Sequence, residues 1–299
     1  MRANYEQYGV EEYYKKVGGA SNSYRNPHFP AVKNCLWVWL NLWWKNEILA
    51  RAETPRKPVD LTLFDLAAGS GEATIAVQEW WQNALKVPAS NIDSNLSPVS
   101  QGSSNLSASA SPSAFIPPAI AARRLRVNAS SGVALTNSDR MTVVACDPYT
   151  SEAYLARTGL PCEALSFKDV SLGNFPKPAP DPQLKTEVEE MAEEVPAESE
   201  ATPLYDMIVC SFALHLLENP SEIWSLFIAL SPRAKWLIVL EPHKKPEIKS
   251  GWGWELWDAE TWVDAESSAS KEILRERVHC RIFRSTHDNF SANQGGDVE

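Results

Sequence analysis

Apolar runs followed by a change of period organise this chain. Leu61, Leu63, Phe64 and Leu66 make a short buried strand after Pro58, and beyond Gly71 the positions Ala73, Ile75, Ala76, Val77 and Trp80 fall at helical spacing, which predicts a helix over Glu72–Leu85. Met141–Cys146 predicts another strand, followed by a helix from Thr150 to Arg157, and a shorter strand is expected over Ala164–Phe167. From Tyr205 a further buried strand runs into small and polar residues at Ser211. An amphipathic helix, Ser221 to Leu230, begins with a capping serine and Glu222 in its first turn, and the strand Trp236–Leu240 follows. Between Glu276 and Arg284, Val278, Cys280, Ile282 and Phe283 are interleaved with Arg277, His279 and Arg281, an antiparallel strand pattern. Ahead of all these, Phe29–Ala50 reads as an apolar helix carrying Trp37, Trp39, Trp43 and Trp44, which predicts packing on a sheet, with an aromatic substrate wall as the alternative.

Two stretches have no period. Ten serines lie between Ser90 and Ser113, so residues 88–138 are expected to form a disordered excursion that buries too little apolar surface to order itself. Residues 173–202 are proline-rich and then acidic, and 288–299 read as a loose tail. The remainder fits one α/β domain over 1–287 with an N-terminal segment, 1–50, in front of it. That segment is dense in tyrosine between Tyr5 and His28, and aromatics at such density seek a surface to cover.

Of the 299 residues 44% are hydrophobic and 22% charged, as in an ordinary soluble protein. Seven of the ten net negative charges come from the glutamates between Glu187 and Glu200, so the rest is nearly balanced. This is not the basic footprint of a nucleic-acid binder, although totals do not exclude a local patch. Five cysteines without C-x-x-C spacing point to a reducing compartment and to no metal site. No apolar signal-peptide core is present, and Cys35–Trp44 is too short to span a bilayer, so a cytoplasmic or nuclear location without a membrane partner is expected. The oligomeric state is not legible.

The candidate chemistry sits where the first strand becomes a helix. Small residues there leave unpaired N–H groups at the helix start, where a nucleotide can approach without meeting a Cβ. A dinucleotide fingerprint would need a glycine at Thr74, which argues against a nicotinamide oxidoreductase. Asp65 would repel a pyrophosphate but suits a ligand with an ammonium group and a sulfonium, as in S-adenosylmethionine. Once the serine-rich excursion is set aside, Asp147 stands close to the ~20-residue spacing at which an acid accepts ribose hydroxyls, with Pro148 beside it. The alternative for Asp147 is a helix N-cap.

Asp65, Gly69, Ser70 and Gly71 resemble the first motif of the class I S-adenosylmethionine-dependent methyltransferases. Ala67 stands where that family often has glycine, which is tolerable if its φ is negative. The resemblance implies a Rossmann-like, doubly wound, seven-stranded sheet, mostly parallel with one antiparallel strand and with helices on both faces, and S-adenosyl-L-methionine as cofactor. It further implies that Asp169 accepts the adenine amino group while the backbone of Val170 meets the ring. Ser211 and His215 match an S-x-x-x-H run common in the biotin- and quinone-pathway types, with His215 as a general base; a packed, hydrogen-bonded histidine is the alternative. Tyr14, Tyr24, Arg25 and His28 are lid candidates, or else pack beneath the sheet. The expected activity is methyl transfer to an unidentified acceptor, a small molecule on the charge argument. The alternatives are a non-catalytic methyltransferase-like scaffold subunit and an enzyme acting on RNA or protein.

Overall fold

The computed structural model describes residues 26–52, 56–87, 133–177, 205–249, 251–265 and 272–287. The first helix, α1 (Phe29–Trp43), is entered through Pro30, whose fixed φ suits a first turn, and continues as a π-helical stretch over Trp44–Leu49. Eight strands then build a single sheet: β1 (Asp60–Leu66), β2 (Arg140–Cys146), β3 (Tyr205–Ser211), β4 (Ala234–Glu241), β5 (Trp254–Asp258), β6 (Val263–Asp264), β7 (Ile273–Arg275) and β8 (Val278–Ser285). The other α-helices among the described residues are α2 (Glu72–Leu85), α3 (Ser151–Thr158), α4 (Phe167–Ser171) and α5 (Pro220–Leu230).

The strand order is β2-β1-β3-β4-β8-β5-β6, with β7 paired to β8. β1 to β4 run parallel, and β8 is antiparallel to both β4 and β5. This is the Rossmann-like sheet with a parallel core that the resemblance implies, with eight strands where seven were expected and antiparallel pairing at β8, β5, β6 and β7 where one antiparallel strand was expected. Both faces are covered, which is why the parallel strands read as nearly continuous apolar runs. Leu61, Leu63, Met207, Val209 and Ile238 pack with α1 and α2, while Phe64, Leu66, Ile208, Cys210 and Val239 pack with α4 and α5. The tryptophans of α1 belong to the first core: Trp39 lies 5.1 Å from Trp236 and 5.4 Å from Trp262, ring centre to ring centre.

Because β1 is flanked by β2 on one side and β3 on the other, successive crossovers leave it on opposite faces and open a crevice at the carboxyl ends of β1 and β3. At the amino ends the same strands are clamped. Arg56 donates from Nη1 and Nη2 to the two oxygens of Asp139 at 2.9 and 2.6 Å, and Asp139 also accepts from Val59 N and Thr136 N. Burial alone would raise this acid, but the Arg56 fork and the backbone donors hold it down at about 2.

Three expectations are corrected. The strand expected over 164–167 shrinks to one parallel bridge, Cys146 to Glu163, because Ser166 and Asp169 form a capping box that starts α4. The pattern from 276 to 284 is a hairpin: Glu276 and Arg277, with φ of 45° and 71°, make its two-residue turn and only β8 is the long strand. The serine-rich excursion ends earlier than 138, since Val133, Ala134 and Leu135 are buried and Leu135 N donates to Ala84 O at 3.2 Å. Residues 88–132, 178–204 and 288–299 lie outside the described residues, as do Tyr14, Tyr24 and Arg25. Among the described residues no helix is long and apolar enough to cross a membrane.

Candidate functional site

The turn from β1 into α2 lies at the crevice. Ala68 N donates to Cys146 O at 3.0 Å, extending the pairing with β2, and Gly71 N donates back to Ala68 O at 2.9 Å. Ala67, Gly69 and Gly71 have φ of 55°, 57° and 87°. The condition set for Ala67, a negative φ, is therefore not met, and an alanine occupies a left-handed position that favours glycine. A Cβ on Gly69 would find its nearest neighbour, Glu72 Oε2, at 3.9 Å, whereas one on Gly71 would overlap Thr158 Cγ2 and press on Tyr154 at 3.2 Å. The first glycine is a conformational need; the second is also a close approach of α3.

Asp65 is 1% exposed and lies beneath this turn. Its Oδ2 accepts from Thr74 N at 3.2 Å and from Thr74 Oγ1 at 2.6 Å, and Thr74 Oγ1 is 2.8 Å from the Tyr154 hydroxyl. Burial is the main reason its carboxyl is pushed up from 3.8 to about 7; the Thr74 bonds oppose this, and the charges of Glu72 and Asp147 add to it. The carboxylate at the end of β1 is thus buried under the turn and held by Thr74. The same residue, Thr74, that breaks the dinucleotide fingerprint is the one that holds Asp65.

The other expected acids are likewise engaged. Asp147 Oδ1 accepts from Tyr149 N and Thr150 N at 2.9 and 3.0 Å, and Oδ2 accepts from Gly69 N at 3.1 Å. Asp147 thereby ties the glycine turn to the start of α3, where Thr150 Oγ1 donates to Gly69 O at 2.6 Å. Pro148 follows it, half-buried. Asp169 Oδ2 is spent on Ser166 N and Oγ at 2.8 and 2.5 Å, which hold the carboxyl below its ordinary value. Val170 is fully buried against α5. Both belong to α4, where Asp169 caps the helix and the Val170 side chain packs in the core.

The second cluster stands at the ends of β3 and β4. Ser211 Oγ is buried with no hydrogen-bond partner among the described residues, and Phe212 after it, at φ 57°, stacks on His28 with centroids 5.2 Å apart. One lid candidate thus reaches the strand edge. His215 lies in a short 3-10 turn, 38% exposed at the side chain, with Nδ1 3.2 Å from Glu241 Oε2. Glu241 is 1% exposed, and its other oxygen accepts from Leu214 N at 2.9 Å. His215 is therefore hydrogen-bonded but not packed away.

Sequence reasoning missed Tyr154, Arg157 and the site role of Glu72, and placed Glu241 only by its position on the functional edge. Tyr154 and Arg157 come from α3: Arg157 Nη1 donates to Ser70 Oγ and Glu72 Oε1, each at 2.7 Å, and to Ser70 O at 3.3 Å. Glu72 also accepts from Ser70 Oγ at 2.9 Å, which joins turn, α2 and α3. Glu241, at the carboxyl end of a predicted strand, carried a positional signal; Arg157 carried none. Among the described residues no three His, Cys, Asp or Glu are grouped to hold a metal ion.

No protein-family model matches the chain. Among solved structures it is similar to the bifunctional kinase-methyltransferase WbdD, at 10% identity and a TM-score of 0.36 over 91% of this chain, spanning 42% of that one. It is also similar to a TehB-like SAM-dependent methyltransferase from Corynebacterium glutamicum (7%, 0.34, 81% of this chain and 94% of that). A third is a putative RNA methyltransferase, PH1948, from Pyrococcus horikoshii (10%, 0.39, 88% and 87%). At those values the likeness adds nothing to the strand order. Among curated proteins, the uncharacterized protein C17A5.05c of Schizosaccharomyces pombe is 35% identical over 285 residues, covering 95% of this chain and 92% of the yeast protein. The chain belongs to the family of that fission yeast protein.

Proposed function

We propose that this protein is an S-adenosylmethionine-dependent methyltransferase acting on a small molecule. The observation that carries the reading is the place of the Gly69–Gly71 turn, at the carboxyl end of β1 beside the crevice where the strand order reverses. The residues present fit such a cofactor. Asp65, Glu72 and Asp147 converge on the turn closely enough to repel one another, and Arg157 answers Glu72, so the cradle is suited to a cation. A Cβ at Gly69 would meet only Glu72 Oε2, in ordinary contact at 3.9 Å, and Ser211 Oγ, at the end of the neighbouring strand, is a polar atom with no hydrogen-bond partner among the described residues.

The cofactor supplies a methyl group on a sulfonium, already a good leaving group, so the chain's task is to hold donor and acceptor in line and exclude water. His28 and Phe212 cover the end of β3. With Nδ1 directed at Glu241, His215 keeps Nε2 as the acceptor for a proton released by the methylated group. A second reading, a methyltransferase-like subunit without turnover, is favoured by Arg157, which spans the turn from Ser70 to Glu72.

Labelled cofactor incubated with the full chain and size-fractionated cell extract separates these readings. Label in a low-mass product, lost in His215→Ala, supports the proposal. Label in protein or RNA overturns the acceptor class, and binding without transfer supports the second reading.

A further inference from the structure

A cavity of about 560 Å3 opens between β8 and the loop that follows β4, on strands well removed from the glycine turn in the sheet order. Leu256, Trp257 and Phe283 give it apolar walls, and Lys244, Lys245 and Arg281 give it positive charge. Its size is that of a site for one small organic molecule.

Arg281 is the feature that needs explaining. It stands mid-strand opposite Val239, only 8% exposed, and Nη1 donates to Lys244 O and Pro246 O at 3.1 and 2.8 Å. Among the described residues Nε and Nη2 have no hydrogen-bond partner. Of the carboxylates around it, Glu272 is engaged by Lys244 Nζ at 3.1 Å and lies 3.0 Å from His279 Nδ1 without a hydrogen bond to it, and Glu241 is engaged by Leu214 and His215. Glu247 and Glu272 line the cavity but make no ion pair with Arg281 among the described residues. Glu241, Glu272 and Glu247 act on Arg281 through their charge, but no carboxylate among the described residues is hydrogen-bonded to it; a guanidinium withdrawn from water in that state is costly, and arginine cannot shed its proton to escape. Nε and Nη2 together form one edge of the planar fork that recognises a carboxylate or phosphate through two parallel bonds.

We propose that this cavity binds a small molecule bearing a carboxylate or phosphate on an apolar or aromatic body, with the oxyanion on the Nε–Nη2 edge of Arg281 and Lys244 and Lys245 at the rim. Both nitrogens are closed to bulk water, so seating the oxyanion takes a shift of the exposed 242–249 loop. The site stands whether or not methyl transfer is the chemistry at β1.

The test is calorimetric titration of the full chain with benzoate, phenyl phosphate, inorganic phosphate and, as neutral control, benzamide. Benzoate or phenyl phosphate binds saturably, the tighter one naming the head group, and benzamide is about tenfold weaker or worse. Arg281→Gln weakens the bound anion about tenfold or more. Lys244→Ala with Lys245→Ala, on the exposed loop, weakens it about threefold, a loss that salt abolishes, and serves should Arg281→Gln fail to fold. No saturable binding at about 10 mM, a value in the range of very weak ligands, overturns the proposal. So does equal affinity for benzoate and benzamide, for phenyl phosphate and inorganic phosphate, or for the wild type and Arg281→Gln. S-adenosylmethionine titrated in parallel reports on the β1 site, and its failure leaves this result untouched.

Discussion

Replacing Asp65 by asparagine tests the electrostatics of the turn without dismantling it. Asparagine keeps an oxygen for Thr74 N and Thr74 Oγ1, and removes only the buried charge. In the folded protein the carboxyl ionises at about 7 rather than 3.8, mainly because burial disfavours the charge. A carboxyl whose folded value is raised binds its proton more tightly in the native state, so its contribution is complete below about pH 4 and is lost as pH rises through about 7. Roughly three units at 1.36 kcal/mol each make the whole loss about 4 kcal/mol, of which about 2–3 kcal/mol falls between pH 5 and 8. Urea unfolding of both proteins at pH 5, 6, 7 and 8 should show the advantage of Asp65→Asn growing by that amount and flattening above pH 7 to 8. Asp139 is common to both proteins and cancels. A difference independent of pH, or one that shrinks as pH rises, refutes the reasoning.

Ala67→Gly should stabilise the fold by about 0.5–1 kcal/mol, the relief of a left-handed alanine less the glycine's own chain entropy, and a loss of stability would contradict the φ of 55°. Gly71→Ala should cost about 2–3 kcal/mol through overlap with Thr158 and Tyr154, while Gly69→Ala costs about 1 kcal/mol, as read from denaturant midpoints. Asp139→Asn should lose about 2 kcal/mol at pH 7; this depressed acid contributes above its ordinary value of 3.8 and loses that contribution as pH falls through about 2, so the gap must close in acid. Glu241→Gln should lower methyl transfer about tenfold and change its pH profile with little effect on cofactor KM, because it positions His215 and does not touch the cofactor.

The fold was legible wherever one element buries one face. The β1–α2 change of period, the buried strand from Tyr205 and the apolar helix of tryptophans all appear where the pattern placed them, since burial on both faces of a parallel sheet writes itself into continuous apolar runs. Short elements were misread: the capping box at Ser166 and Asp169 outweighs the strand-like run before it, and the positive φ at Glu276 and Arg277 has no glycine to announce it. The glycine turn was legible as a strand-to-helix bend, but the contacts of its acids were not. Whether Asp147 meets a ligand or the N–H of Gly69 depends on contacts between residues far apart in the chain, as does the clamp of Arg157 on Ser70 and Glu72.

Calorimetric titration of S-adenosylmethionine into the full chain at pH 7, in two buffers of different ionisation heat, asks whether the turn holds a cation. The prediction is saturable binding with release of up to about half a proton, since a cation above the turn favours ionised Asp65, and loss of that release in Asp65→Asn. No saturable heat at cofactor concentrations up to about 1 mM, or a proton release that Asp65→Asn leaves unchanged, contradicts it.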